Sequence, residues 1–179
     1  PCLDRWEAGI GYIPADRIDI GSIADFSLVE NTAMNYYFDD QYSHRATLNY
    51  GKIRGLTEEI ISEYGVATPN ADIPAKSLSG GNLQKMILAR VLSRQPRLVI
   101  ADIPTQGLDI GATEFVRNKL VEAKKNGACV LLISEDLDEI FELSDWVAPI
   151  YEGKIMGIIP ADQVKRERVG AMMAGLHLE

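Results

Sequence analysis

The chain has 179 residues, of which 46% are hydrophobic and 25% are charged, and this composition is typical of one globular domain with a buried core. Its net charge of -8 at pH 7, with a pI near 4.8, argues against a broad electrostatic grip on nucleic acid or anionic lipid. No apolar run has the length that is needed to span a bilayer.

The first predicted elements along the chain are helical. Residues from about 26 to 78 have a helical pattern, which polar breaks interrupt around 39–40, 42–43 and 68–70. The clearest helix in this stretch covers 57–64. We therefore expect a helical region ahead of the first glycine-rich turn.

That turn, Ser79-Gly80-Gly81, precedes a predicted amphipathic helix that must end near Gln95, because Pro96 follows. Ser79 supplies a hydroxyl and is predicted to cap the helix. Gly80 and Gly81 have no Cβ, so their backbone N–H groups can approach an anion. A phosphate therefore fits at this helix N-terminus, where free donors and a partial positive charge converge. The alternative is that the turn is only a cap before an amphipathic helix.

The apolar run 98–101 predicts a strand that is buried on both faces, and Asp102 stands where the strand ends. A carboxylate at the carboxyl end of a parallel strand is well placed to hold a magnesium ion or its water. Asp109 follows after Pro-Thr-Gln-Gly-Leu. The alternative is that both aspartates only cap loops.

From this strand onward, the pattern alternates between strands and helices. We predict a helix over 113–126 that closes at Gly127, a strand over 128–133 and a helix over 136–143. Runs 147–151 and 154–159, joined at Glu152-Gly153, predict a terminal hairpin. The alternation indicates an α/β fold with a parallel sheet.

Several of these segments resemble parts of one protein family, the ABC-type ATP-binding cassettes. Residues 78–84 resemble the family's signature loop, residues 98–109 resemble its Walker B strand and D-loop, and residues 11–15 resemble the strand that leads to its Q-loop. Segments 9–17, 78–82, 107–112 and 132–140 are together similar to the second cassette of fused bacterial importers of simple sugars or nucleosides. The resemblance implies a P-loop NTPase-type parallel sheet that lacks its phosphate-loop strand, with a helical ABC subdomain and a C-terminal β-hairpin.

The resemblance also implies a division of the chain, which we interpret as a partial nucleotide-binding domain over 1–179. Residues of about 1–25 would form the Q-loop strand region, about 26–95 the helical subdomain with the signature, and about 96–179 the C-terminal α/β core. The family places its phosphate loop before the Q-loop strand, so the sequence resembles the C-terminal part of a longer cassette.

The sequence departs from the family pattern at the catalytic positions. Ile103 stands where the family has the glutamate that polarises the attacking water, Glu135 stands at the histidine position and Ala15 at the glutamine position. No Gly-x-x-x-x-Gly-Lys-Ser/Thr occurs in the chain, so the loop that holds the β- and γ-phosphates is absent from it. We expect no intact catalytic residue, little or no ATP binding by this chain alone, and ATP hydrolysis only in the full-length protein.

In the resembling family, two cassettes close on two ATP molecules, each held between one cassette's phosphate loop and the other's signature. The resemblance therefore implies that ATP and Mg²⁺ are the cofactors of the full-length protein and that Asp102 serves the metal. The implied nucleotide contacts are Ser79, Gly80, Gly81, Asn82 and Asp109, supplied in trans to the partner's ATP. The site built on Asp102 and Ile103 would hold nucleotide without turning it over well.

The implied partners are a second cassette, fused or homodimeric, and a transmembrane permease subunit, with no nucleic acid and no direct insertion into the membrane. This places the protein in the cytoplasm, at the inner face of the plasma membrane through its permease. Residues 15–31 would lie near the permease, with Ile23, Phe26 and Leu28 as candidate contacts, although three apolar residues also fit a core.

Two other function classes stay open. The chain could serve as a nucleotide-independent regulatory or scaffold module. It could also belong to a soluble, non-transport ABC ATPase that acts on ribosomes or DNA. The acidic balance and the absence of coiled-coil heptads or basic tails argue against this second alternative.

Overall fold

The computed structural model describes residues 2–44 and 47–176, except for the side chain of Cys2. The chain divides into two compact units, Pro1–Ile133 and Ser134–Glu179. Each unit has its own apolar core and is described by itself.

The first unit combines five helices and five strands in its described part. The helices are α1 (Cys2–Glu7), α2 (Leu28–Ala33), α3 (Tyr50–Glu63), α4 (Gly80–Leu92) and α5 (Ile110–Lys125). The strands are β1 (Ile10–Ile13), β2 (Ser43–His44), β3 (Thr47–Leu48), β4 (Leu98–Asp102) and β5 (Cys129–Ile133). A short 3₁₀ turn, Ala75–Ser77, precedes the start of α4.

The main sheet has the strand order β1-β4-β5, and both pairings are parallel. The register places Ile13 beside Ala101, and Asp102 beside Ile133. Helix α5 connects β4 to β5, as parallel strands require a crossover. The predicted α/β class with a parallel sheet is therefore confirmed.

The core of the first unit lies between this sheet and helices α3, α4 and α5. Its fully buried members include Ile13, Ile60, Leu88, Val99 and Val116. The alternation of side chains along a strand sends Val99 and Ala101 into this core, while Ile100 points to the opposite face.

The prediction that β4 is buried on both faces was wrong. Its residues alternate between buried and half-buried, and Leu131 and Ile133 of the neighbouring β5 are 52% and 46% exposed. The core of the first unit lies on the face that carries Val99 and Ala101, and the side chains of the opposite face are only partly covered. An apolar run cannot distinguish a strand covered on two faces from one covered on one face.

Helix boundaries follow the side-chain caps. Helix α3 begins at Tyr50 rather than at 57, because the Asn49 side chain accepts a hydrogen bond from the amide of Lys52. Helix α5 begins at Ile110 rather than at 113, because Asp109 caps it. Helix α4 begins as predicted and ends at Leu92, before the predicted stop near Gln95.

The helical stretch 26–78 contains one feature that the sequence pattern did not predict. Strands β2 and β3 form a short antiparallel ladder, in which Ser43 pairs with Leu48 and His44 with Thr47. This ladder occupies part of the polar break at 42–43 that separates α2 from α3.

The second unit contains helices α6 (Leu137–Leu143) and α7 (Arg166–Met173) and strands β6 (Trp146–Val147), β7 (Ile150–Tyr151), β8 (Lys154–Ile155) and β9 (Ile159–Pro160). Strands β7 and β8 form the predicted hairpin, with Glu152 and Gly153 in the left-handed region at φ 44° and 75°. The residues farther from the turn form a separate antiparallel ladder, in which β6 pairs with β9. Among the described residues, no helix is both long and apolar enough to cross a membrane.

Candidate functional site

The turn before α4 carries its own internal support. Ser79 has an extended backbone and caps the helix, and its Oγ accepts hydrogen bonds from the backbone N of Asn82 at 3.3 Å and from Asn82 Nδ2 at 3.0 Å. Two accepted bonds occupy the oxygen lone pairs and leave the Ser79 hydroxyl proton available for an outside acceptor. Ser79 is exposed, so an anion in solvent can reach this proton.

Asn82 is engaged on its other side as well. Its Oδ1 accepts a hydrogen bond from the backbone N of Ala67 at 2.9 Å. The side chain therefore ties the turn to the loop that follows α3. In this arrangement Asn82 positions Ser79, and its backbone N–H is already used by the cap.

The two glycines of the turn have different surroundings. At Gly80, which is exposed, the nearest atom to an added Cβ would be Arg17 Nη1 at 3.4 Å. At Gly81, an added Cβ would lie 3.2 Å from the Cβ of Ala112 and 3.7 Å from Asp109 Oδ2. Gly81 therefore allows α5 to approach closely, while Gly80 leaves the turn open to solvent.

Asp109 serves both as a helix cap and as a neighbour of this turn. Its Oδ1 accepts a hydrogen bond from the amide of Ala112 at 2.8 Å, and its other oxygen faces Gly81. The structure thus brings Asp109 and the Ser79–Gly81 turn together, as an arrangement of two adjacent helix N-termini. The first amides of each helix have no intrahelical partner.

Asp102 lies at the carboxyl end of β4, where the sequence predicted it. Its Oδ2 accepts a hydrogen bond from the Tyr12 hydroxyl at 3.1 Å. Loss of solvent raises the pKa of Tyr12, and the hydrogen bond and the negative charge of Asp102 raise it further. Within residues 2–44 and 47–133, no hydrogen bond joins Asp102 to the Ser79 turn.

Ile103 follows Asp102 with φ at 42°, in the left-handed region. A β-branched residue is strained there, and such strain is often found at functional sites. Its N–H donates to the carbonyl of Ile133 at 2.9 Å, which extends the β4–β5 ladder by one bond. An isoleucine side chain can neither accept a proton nor polarise water.

The other two positions that depart from the family pattern also carry no catalytic arrangement. Ala15 is half-buried just after β1, and its methyl group offers nothing to a metal or to water. Glu135 is exposed at the start of the second unit, between Ser134 and Asp136, where the Ser134 hydroxyl accepts from the Asp136 amide at 3.1 Å.

The donor set fits one mode of magnesium binding. Among the described residues, no group of three or more His, Cys, Asp or Glu side chains is arranged to hold a metal ion. Magnesium is often held by one or two carboxylates, with phosphate and water supplying the remaining ligands. Asp102 can supply one such carboxylate.

Two residues that lie beside the candidate site residues were not named in the sequence analysis. Tyr12 contacts Asp102, and Arg17 places its guanidinium beside Gly80, where partial burial lowers its pKa. Alternation of side chains along paired strands would have indicated Tyr12. Tyr12 pairs with Ile100, and Ile100 lies on the same face of β4 as Asp102. Arg17 ends segment 9–17, which carries part of the family resemblance, but no sequence signal indicates its approach to Gly80.

Comparisons with known proteins agree with this geometry. The family profile described as ABC transporter matches residues 2–106. The chain is 43% identical over 169 residues to the guanosine import ATP-binding protein NupO of Bacillus subtilis, a match that covers 94% of this chain and 33% of NupO. It is 40% identical to the glucose import ATP-binding protein TsgD13 of Haloferax volcanii, covering 93% and 31% of the two chains.

Solved structures support the same fold. The chain matches the dimeric bacterial ABC transporter cassette MJ0796 with a TM-score of 0.71 at 20% identity, over 89% of this chain and 66% of that chain. It matches cbiO1 of Clostridium perfringens with a TM-score of 0.68 at 22% identity, over 98% and 66% of the two chains. The chain spans about a third of the length of the curated relatives it matches. It has the α/β fold of an ABC cassette and belongs to the ABC transporter family.

Proposed function

We propose that this chain is part of the ATP-binding subunit of an ABC importer of simple sugars or nucleosides. In this proposal it supplies the Ser79–Gly81 turn to an ATP molecule that a second cassette holds. The observation that carries the proposal is the state of Ser79, whose oxygen accepts two bonds from Asn82 while its proton stays free at an exposed helix N-terminus. The names of NupO and TsgD13 support the importer class.

The chemistry at this turn is electrostatic. The free amides at the start of α4 and the Ser79 proton are donors, and Arg17 adds a positive charge beside Gly80. Such donors stabilise the charge that develops on a phosphate during transfer, where positioning and electrostatics supply most of the catalysis. Asp102 would hold Mg²⁺ at the chain's own site, which Ile103 leaves without a general base.

The proposed permease surface follows residues 15–31. Ile18, Ile20, Ile23 and Phe26 are exposed by 58%, 65%, 37% and 43%, which makes this an apolar surface of the first unit. Leu28, the third candidate contact, is instead fully buried in the core, which is the alternative that the sequence analysis left open. Docking here would hold the protein at the cytoplasmic face of the membrane through its permease.

The signature proposal is tested in the full-length protein by Ser79→Arg, which fills the phosphate position with a long cationic side chain. Ser62→Arg is the matched control, because Ser62 is exposed on α3 and carries the same change in size and charge. We expect Ser79→Arg to reduce ATP hydrolysis by at least about a hundredfold, and Ser62→Arg to leave it unchanged. Equal activity of the two variants would overturn the proposal.

The permease surface is tested by cysteine crosslinking at Ile20 to the membrane subunit in the assembled transporter. The native cysteines of the chain, Cys2 and Cys129, are first replaced by serine, so that crosslinks from the chain report on the introduced thiol. A cysteine at Thr113, on α5, serves as the control position. Crosslinks from Ile20→Cys but not from Thr113→Cys support docking at residues 15–31.

The nucleotide-independent alternative is favoured by Ile103, which leaves the chain's own site without a general base. It predicts that the full-length protein with Asp102→Ala and Ser79→Arg combined still performs its role in import. Loss of import in that double variant, with normal assembly on the permease, would exclude a pure scaffold.

A further inference from the structure

The side chain of Gln84 joins the signature helix to the turn that follows Asp102. Gln84 lies one turn into α4, and only 1% of its surface is exposed. Its Nε2 donates a hydrogen bond to the carbonyl oxygen of Pro104 at 2.7 Å. Residues far apart in sequence are thus connected by one buried polar contact.

The orientation of this carboxamide is determined by its partner. A carbonyl oxygen only accepts, so the Gln84 nitrogen must face Pro104, and Oε1 must point the other way. Oε1 is buried and has no hydrogen-bond partner among the described residues. A buried polar atom without a partner is costly, and an apolar residue of the same length would avoid that cost. A requirement for the Nε2 bond explains why glutamine is nevertheless present.

The turn that accepts the hydrogen bond from Gln84 has a strained backbone. Ile103, directly before Pro104, has φ at 42°, and its backbone is held on one side by the bond from its N–H to Ile133. The Gln84 bond holds the next carbonyl on the other side. A conformation that costs free energy persists only when its surroundings fix it, and these two bonds do so.

We propose that Gln84 is a positioning residue that couples the Ser79–Gly81 turn to the geometry at Asp102 and Ile103. This inference rests on the proposed function, in which the turn serves the neighbour's ATP and Asp102 belongs to the chain's own site. A rigid helical turn separates Gln84 from Ser79, so movement of the turn toward a phosphate carries the Pro104 carbonyl with it. The two ATP sites would thereby be linked through one side chain.

The test uses ATP hydrolysis by the full-length protein with two variants. Gln84→Met keeps the length of the side chain and removes the donor. Gln84→Glu places a carboxyl group there, which donates to the Pro104 carbonyl only when it is protonated. Leu120→Val, a change at a buried core residue of α5, serves as the control for a loss of stability.

We expect Gln84→Met to lower kcat about tenfold with KM for ATP nearly unchanged, the effect of losing one buried positioning bond. Leu120→Val should keep the wild-type kcat, although its melting temperature falls as much as that of Gln84→Met. For Gln84→Glu, kcat relative to wild type should rise about threefold or more between about pH 8 and pH 6, as the carboxyl is protonated. The Gln84→Met ratio should stay flat over that range.

A Gln84→Met variant that matches Leu120→Val in kcat would overturn the inference. A flat pH ratio for Gln84→Glu, or a change confined to KM, would overturn it as well. Ser79→Arg in the same assay separates the two proposals. If Ser79→Arg abolishes hydrolysis while Gln84→Met behaves as the control does, only the coupling role fails; if Ser79→Arg is fully active, both fail.

Discussion

The hydroxyl of Tyr12 donates a hydrogen bond to Asp102 across the ends of two neighbouring parallel strands, over 3.1 Å between Oη and Oδ2. Tyr12 is 46% exposed, so this bond lies at the open edge of the sheet end and not in the core. It occupies one of the oxygen lone pairs that a magnesium ion would use.

Tyr12→Phe removes the hydroxyl that competes with Mg²⁺ for the Asp102 carboxylate and keeps the aromatic ring. We expect the free energy of unfolding to fall by less than about 1 kcal/mol, because the bond is solvent-exposed. The Mg²⁺ concentration that half-saturates ATP binding in the full-length protein should fall about twofold to fivefold. A titration of Mg²⁺ at fixed ATP measures this change. A higher Mg²⁺ requirement would mean instead that Tyr12 orients Asp102 for the metal.

Asn82→Leu tests the support of the signature turn. It removes the donor to Ser79 Oγ and the acceptor for the Ala67 amide, so the free energy of unfolding should fall by about 1–3 kcal/mol in denaturant titrations. Asn82→Asp keeps an acceptor for Ala67 and places a negative charge in the first turn of α4, where the helix dipole favours it. The free energy of unfolding should therefore fall less than half as much in Asn82→Asp as in Asn82→Leu. Equal losses would assign the effect to the Ser79 bond alone.

Ile103→Asn tests the backbone strain after Asp102. Asparagine tolerates the left-handed region better than a β-branched residue, and this gain offsets the lost apolar contact. We expect a change in the free energy of unfolding within about 0.5 kcal/mol of zero. The matched change Ile100→Asn, at a half-buried strand position with extended backbone, should cost about 1–3 kcal/mol. Equal costs at both positions would contradict the strain.

Tyr64 predicts how stability depends on pH in alkaline solution. Burial raises the pKa of its hydroxyl to about 12, with smaller contributions from the charges of Glu63 and Glu122. The folded state therefore keeps a proton that the unfolded state loses near pH 10, so stability is complete below about pH 10 and falls as pH rises toward 12. Wild type should lose up to about 2 kcal/mol more than Tyr64→Phe over this window. Parallel pH curves for the two proteins would contradict the raised pKa.

The local signals in the sequence were sufficient for much of the fold. Ser79 and the helical spacing after it predicted the start of α4, and the apolar run before Asp102 predicted β4. Both depend on short-range physics, namely a side-chain cap and the direction of alternate residues. The Glu152-Gly153 turn was predictable for the same reason.

What could not be predicted depends on contacts between distant segments. Burial of Leu28, the exposed face of β5 and the approach of Arg17 to Gly80 are set by which helices cover which surface. The bond from Gln84 to Pro104 likewise joins two segments whose distance the sequence does not encode locally. The sequence therefore names the candidate site residues, whose roles stay predictions, but it did not predict the contacts that surround them.

The central claim, that the turn donates its amides to a triphosphate, is tested most directly by hydrogen exchange in the full-length protein. The amides of Gly80 and Gly81 begin α4 and have no intrahelical partner, so they exchange readily unless an outside acceptor binds them. Saturating ATP under non-hydrolysing conditions should slow their exchange by at least about tenfold, and ADP should not. Unchanged exchange at both amides, in protein that demonstrably binds ATP, would contradict the claim.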